Sequence, residues 1–209
     1  MKPIEYTVRL ERKDEQRAVE HLIRESFWNV YRPGATEHYV MHVLRDDAAF
    51  VEALNLVMEK DGALIGRVAF MENALLLDDG RVRPVLTLGP VCILPTHQGK
   101  GYGKALLDTA LERASALGYG AVCLEGNPAF YGNSGFVPAT PLGLRYDGDE
   151  DGMMTPYFLC KELIPGYLKD AHGLYKVPMA YFVTDDEVEA FDLGFPTKEK
   201  KRLAGQLLS

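Results

Sequence analysis

The sequence predicts a mixed α/β domain organised around an antiparallel meander, and three observations predict it. Apolar runs separated by Asp61-Gly62 and Asp79-Gly80 lay out three consecutive strands joined by tight turns. Amphipathic helical segments precede them. A strand, a glycine-rich loop and a helix then follow in immediate succession over residues 88–117. At 209 residues the chain suits one well-filled core with terminal elaboration, and 47% hydrophobic with 25% charged residues is the composition of a globular protein.

Taken in order, Ile4, Tyr6, Val8 and Leu10 alternate with Glu5, Thr7 and Arg9, the two-residue period of a half-buried strand. Asp14 offers a cap for the helix that follows, on which Val19, Leu22, Ile23, Ser26 and Phe27 share a face and which Pro33-Gly34 closes. A second short helix is expected over residues 36–45. The meander occupies residues 54–93, and its last strand, 85–94, carries Gly89-Pro90 in mid-run. Proline has no N–H for the ladder and glycine no side chain to pack, so the pair predicts a bulge that breaks pairing with a neighbour and frees backbone groups for a ligand. Beyond Pro95, Leu107, Ala110, Leu111, Ala114 and Leu117 line one face of a helix that Gly118 stops. Residues 121–125 read as another buried strand, 127–133 as a short helix or loop, and 136–138 as the start of a further strand. The remainder has apolar pieces near 157–163 and 175–183 and a charged end that includes 198–202, and it reads as edge strands and a helical tail. On this reading residues 1–165 form the main domain and 166–209 an extension packed on it.

Composition narrows the function. No basic-then-apolar leader opens the chain and no apolar run is long enough for a bilayer, so a cytoplasmic protein without membrane partners is expected. Cys92, Cys123 and Cys160 are odd in number and widely spaced, which suits buried reduced thiols and implies no disulfide framework. A net charge of -7 disfavours nucleic acid as a partner, so any phosphate site must be built locally.

The local candidate is the run Gln98-Gly99-Lys100-Gly101-Tyr102-Gly103. A glycine loop between strand and helix aims backbone N–H groups and the positive end of the helix dipole at one spot, which is a phosphate-binding device. A nucleoside-triphosphate loop ending at Gly103-Lys104 would need glycine at Gln98 and a hydroxyl at Ala105, and neither is present. The dinucleotide fingerprint counted from Gly99 would need glycine where Lys104 stands.

What remains resembles the acetyl-CoA pyrophosphate loop of the GNAT (Gcn5-related) N-acetyltransferase superfamily, Gln/Arg-x-x-Gly-x-Gly/Ala, filled here by Gln98, Gly101 and Gly103. The resemblance is most specific over residues 88–139. It includes the Gly-Pro of the preceding strand and a Tyr-x-x-x-Gly-Phe-x-Pro-Ala block from Tyr131 to Ala139, with Asn133-Ser134 departing from the usual Arg-Phe pair. It implies a mostly antiparallel sheet of six or seven strands, splayed beside the loop, with helices on both faces. It implies that Val91, Cys92 and Ile93 offer backbone hydrogen bonds to the acetyl carbonyl and pantetheine arm, and that Gln98, Gly99, Lys100, Gly101, Tyr102, Gly103 and Lys104 wrap the pyrophosphate. Tyr131 matches the tyrosine that protonates the departing CoA thiolate in many members, and it also fits as a packing residue beside Phe136. Asn127 matches an asparagine that often contacts the cofactor arm and is equally suited to cap a short helix.

The implied reaction is acetyl transfer from acetyl-CoA to a primary amine of a small molecule or peptide, with no metal. A sensor that binds acyl-CoA without turnover, or an enzyme for a longer acyl chain, are the rivals. A second copy of the chain is allowed as a partner and nothing demands one. Attack on the thioester requires a neutral amine, yet no base stands out. Glu37, Glu72, Glu125 and His97 qualify only by proximity, and Trp28, Tyr31, Tyr39, Tyr157 and Tyr175 suit an acceptor site or a core equally. Asp147, Asp149 and Asp151 open a calcium-loop pattern that fails at its twelfth position, Phe158, and His38 with His42 lacks a third ligand.

Overall fold

The computed structural model describes residues 6–149 and 154–207. Ile4 and Glu5 of the first expected strand, and Glu150, Asp151 and Gly152 of the acidic turn, lie outside the described residues. The strands are β1 (Thr7–Leu10), β2 (Leu56–Lys60), β3 (Ala63–Leu77), β4 (Val82–Ile93), β5 (Ala121–Glu125), β6 (Val137–Pro138), β7 (Leu144–Tyr146), β8 (Phe158–Glu162) and β9 (Gly173–Tyr175). The helices are α1 (Gln16–Phe27), α2 (Glu37–Leu44), α3 (Tyr102–Ala116), α4 (Pro128–Tyr131) and α5 (Asp185–Asp192). One sheet runs β1-β2-β3-β4-β5-β8-β6, with β9 joined to β3 and β7. Its pairs are antiparallel except β4 with β5 and β7 with β9. The two strands beyond the expected number, β7 and β9, are three residues long, too short for a two-residue period to register.

Strand alternation sends β3 and β4 side chains to two separate layers. Val68, Phe70, Leu86, Leu88 and Ile93 meet α3 through Leu106, Leu107, Ala110 and Leu111. Ala69 and Cys92 meet α1 and α2 through Val19, Leu22, Ile23 and Met41. Asp14 does not cap α1: it is exposed, and a single 3-10 turn, Lys13–Glu15, precedes the helix. Buried Glu15 closes that turn rather than the helix, accepting the Arg12 backbone N–H at 2.8 Å and Arg9 at 2.6 Å.

The chain end differs from the expected charged helical tail. The helix is α5, opened by a capping box in which the Thr184 hydroxyl accepts from the Glu187 N–H and the Glu187 carboxylate accepts the Thr184 N–H. It docks on α1 and α2 through Arg24, which binds both oxygens of Asp192 at 2.5 and 3.0 Å. Residues 198–202 form no helix. They run beside the α1–α2 connection, where the Glu199 carbonyl accepts from Trp28 Nε1 and Asn29 Nδ2, and Asn29 Oδ1 accepts the Lys201 N–H at 3.0 Å.

Candidate active site

The opening of the site is a failure of strand pairing. β4 and β5 are in register only at Leu86↔Val122 and Thr87↔Cys123, after which they separate. At the same point β4 carries its bulge: Phe70 faces Leu88 and Val68 faces Val91, so Gly89 and Pro90 together stand opposite Ala69. The bulge expected from the Gly-Pro pair is present. The Tyr181 hydroxyl donates to the Gly89 carbonyl at 2.7 Å, and Pro90 offers no N–H.

Past the bulge the backbone directions follow from two hydrogen bonds. Leu94 N–H donates across the ladder to the Ile65 carbonyl at 2.8 Å, whereas the Ile93 carbonyl turns the other way and accepts Gln98 Nε2 at 2.9 Å. Backbone groups of successive residues alternate between edges, so Val91 and Ile93 aim their N–H groups at the side β5 has left. Cys92 does the opposite. Its backbone faces Arg67 in the ladder and its side chain lies under α1, where burial pushes the thiol up to about 12 against a hydrogen bond from Ser26.

The glycine loop follows at once. Among the described residues, no backbone N–H from Gly99 through Lys104 has a partner, and the first to donate is Ala105, to the Gly101 carbonyl at 3.1 Å. Gly99 and Gly101 make this possible with φ of +71° and +86°, values that turn consecutive N–H groups inward and that L side chains resist. Lys100 Nζ donates to the Thr96 carbonyl at 2.8 Å, and Lys104 pairs with Asp108 one turn along α3. Tyr102 contributes only its backbone, since its ring is buried in edge contact with Tyr6. Gly103 lies beneath the ring of Phe130.

On the far side of the gap, α4 brings Tyr131 to the end of β5. Its ring sits edge-on to Phe130 and Phe136 and fills the space over Gly126, where any Cβ would overlap it. The hydroxyl has no protein partner among the described residues. Protein surrounds Tyr131 on most sides while some solvent access remains, the situation of a group lining a recess, and desolvation raises its pKa above the ordinary 10. Asn127 caps α4, its Oδ1 accepting the Ala129 N–H at 2.9 Å.

An open strand edge is thus followed at once by a nest of unpaired N–H groups, with a tyrosine at the end of the strand that has parted from it. A family model described as the acetyltransferase (GNAT) family matches residues 19–136. The chain belongs to the GNAT acetyltransferase family. It is 27% identical to the uncharacterized N-acetyltransferase YhbS of Escherichia coli K12 over 150 residues, covering 71% of this chain and 84% of YhbS. It is 28% identical to YjhQ of the same organism, over 59% of this chain and 62% of YjhQ. The crystal structure of E. coli YhbS in complex with CoA superimposes with a TM-score of 0.73, 25% identity and coverage of 87% of this chain and 94% of YhbS. A GNAT acetyltransferase from Brucella melitensis in complex with acetyl-CoA gives 0.60, 25% identity and coverage of 78% and 90%.

Within this GNAT domain the other candidates separate by contact. Glu72 accepts the Tyr119 hydroxyl at 2.9 Å, Glu125 accepts the Tyr146 hydroxyl at 2.6 Å, and His97 Nδ1 lies 3.0 Å from the Thr96 hydroxyl beside the loop. Trp28 stacks on Arg24, Tyr39 packs on Phe191, and Tyr175 is buried with its hydroxyl on Thr87, so these three belong to packing. Tyr31 and Tyr157 stay exposed. His42 turns to Glu20 while His38 is buried beside α5, and the described residues contain no cluster of metal-ligating type. No described helix is long and apolar enough to cross a membrane. Tyr181 and Gly126 were not legible as site residues, because each matters only through a partner distant in sequence or stacked over it.

Proposed function

We propose that this enzyme transfers an acetyl group from acetyl-CoA to a primary amine by direct attack. The observation that carries the reading is the continuity of two donor sets. Val91 and Ile93 present N–H groups to the gap, and the unpaired N–H groups of residues 99–104 lie at its end. The first set suits a thioester carbonyl and an amide-bearing arm, and the second suits a diphosphate. Binding of CoA by YhbS and of acetyl-CoA by the Brucella protein supports it.

In the proposed reaction the amine nitrogen attacks the thioester carbon, the C–N bond forms and the C–S bond breaks. Backbone N–H groups on β4 stabilise the oxyanion, and the Tyr131 hydroxyl gives its proton to the sulfur. Tyr131 then recovers a proton from the new amide nitrogen. Burial suits it to this, since a phenol held neutral keeps the proton it must deliver. The test is Tyr131→Phe with thiol release followed at saturating acetyl-CoA. We expect turnover to fall roughly 100-fold, the lower range for general acids, with calorimetric affinity for acetyl-CoA within threefold of wild type. Unchanged turnover removes Tyr131 from the mechanism. Tight acetyl-CoA binding without transfer to any of a broad amine panel favours a sensor, and tighter binding of long-chain acyl-CoA overturns the acetyl preference.

A further inference from the structure

The peptide unit between Pro90 and Val91 is planar and trans, so its carbonyl and its N–H point in opposite directions. The N–H is that of Val91, which faces the gap. The carbonyl is that of Pro90, and Nη1 of Arg67 lies 3.4 Å from it. The unit before it is held as well, because the Tyr181 hydroxyl donates to the Gly89 carbonyl at 2.7 Å. Only φ and ψ of Pro90 separate the two units, and the proline ring locks φ. With both carbonyls held, ψ keeps little freedom and the direction of the Val91 N–H is set.

Arg67 brings charge to this arrangement. It is a fully buried β3 residue paired with Cys92, and a buried cation needs partners. Its Nη2 donates to Asn55 Oδ1 at 2.5 Å, whereas the Glu11 carboxylate stands at 3.4 Å and is held more closely by Arg45, at 2.6 Å. Arg67 Nε has no hydrogen-bond partner among the described residues. Burial pulls the pKa of Arg67 down to about 10, which leaves it a cation near neutral pH. Its incompletely matched charge falls on the Pro90 carbonyl, draws electron density towards that oxygen, and leaves the Val91 N–H at the other end of the unit more positive. Tyr181 is supplied from far along the chain. It ends the turn Met179–Tyr181, and it packs with Ala180 and Val183 on Val40, Leu44 and Met71. It lies beyond residues 19–136, the stretch that carries the family match.

We propose that Arg67 and Tyr181 are positioning residues for acetyl transfer: together they fix the Val91 N–H on the thioester oxygen, and Arg67 strengthens it as an oxyanion donor. This rests on the acetyl-transfer reading above, in which N–H groups of β4 stabilise the oxyanion. Both side chains act through the backbone. Their effect passes through one peptide unit, so the acyl carbonyl feels it and the rest of CoA does not.

The stretching frequency of the thioester carbonyl reads that donor directly, since a stronger hydrogen bond lowers it. Acetyl-CoA with an isotopic label at the carbonyl carbon is bound to the wild type, Tyr181→Phe and Arg67→Met, and infrared difference spectra compare the bound band with that of free acetyl-CoA in water. We expect the wild-type band to lie below the free one and both variants to move it back towards the free value. Turnover should fall about tenfold in each, less than the roughly 100-fold lost when an oxyanion donor is removed outright, with calorimetric affinity for CoA itself within about threefold of wild type. Arg67→Lys keeps the cation and should hold the band closer to wild type than Arg67→Met does. Tyr181→Phe keeps the ring and loses one hydroxyl, so it decides the matter if Arg67→Met does not fold. A band unmoved in Tyr181→Phe, or a loss of CoA affinity as large as the loss of turnover, overturns the bracing role and leaves acetyl transfer standing. A wild-type band that coincides with the free one overturns β4 as the oxyanion donor, and the bracing role with it.

Discussion

The dock of α5 places a titratable switch inside the protein. His38 is fully buried between Phe191 and Phe195, with Asp192 of α5 and Arg24 and Glu20 of α1 as the charged groups around it. Its Nε2 lies 3.1 Å from Asp192 Oδ1, yet neither ring nitrogen has the alignment of a hydrogen bond. Desolvation dominates and depresses the imidazole from 6.5 to about 4, outweighing the pull of Asp192. The folded protein therefore refuses a proton that the unfolded chain accepts. Stability is at full value above pH 6.5 and is lost as pH falls from there towards the folded value. Between about pH 7.5 and pH 5 the loss comes to about 2 kcal/mol, and a shift from 6.5 to about 4 totals about 3 kcal/mol at 1.36 kcal/mol per unit. Glu37 acts in the opposite sense, because its raised pKa returns stability as pH falls through it, so a single acid titration would mix the two. The clean perturbation is His38→Phe, which keeps an aromatic ring among Phe191 and Phe195 and gives up no hydrogen bond. Urea unfolding of both proteins at constant ionic strength should show the wild type losing about 2 kcal/mol more than the variant over that range. Parallel curves would refute the assignment of the shift to His38.

Two further perturbations bear on the glycine loop and on the chain end. Gly101→Val forces a β-branched residue to a φ of +86° in the nest, costing about 1–2 kcal/mol locally, and acetyl-CoA binding measured by calorimetry should fall at least tenfold. Unchanged affinity would place the diphosphate elsewhere. Asn29→Ala removes an acceptor shared by the Gly34 and Lys201 N–H groups and a donor to Glu199, at a residue whose own φ is +61°. A local loss of about 3 kcal/mol is expected from three hydrogen bonds at about 1 kcal/mol each, read as faster amide exchange at Lys201 and Leu207. Unaltered exchange there would mean that Asn29 does not hold the tail.

The bulge and the glycine loop were legible because both are written in consecutive residues. Gly89-Pro90 announces the bulge and the spacing of Gln98, Gly101 and Gly103 announces the nest, each in fewer than ten residues. The residues around that run were not, because they meet it only in three dimensions. Tyr181 has no signal apart from the Gly89 carbonyl it reaches, and Gly126 none apart from the Tyr131 ring stacked over it. Secondary structure divided in the same way. Long periodic runs such as β3 and α3 emerged close to their observed limits, while three-residue strands fall below the resolution of any period. The start of α5 does carry a sequence signal, since Thr184 and Glu187 stand at capping-box spacing.

The separation of β4 from β5 has a cost to the protein before any ligand arrives, for a strand with one bare edge invites pairing by another chain. Here the invitation is short. Pro90 has no N–H to offer, the Gly89 carbonyl is already taken by Tyr181, the Ile93 carbonyl is taken by Gln98, and the bulge throws the strand out of regular register. What is left bare past the bulge is the N–H and carbonyl of Val91 and the N–H of Ile93, enough to grip an extended arm and too little to nucleate a sheet between molecules. The interruption that bares this edge also keeps it too short and irregular to make a good template for another strand.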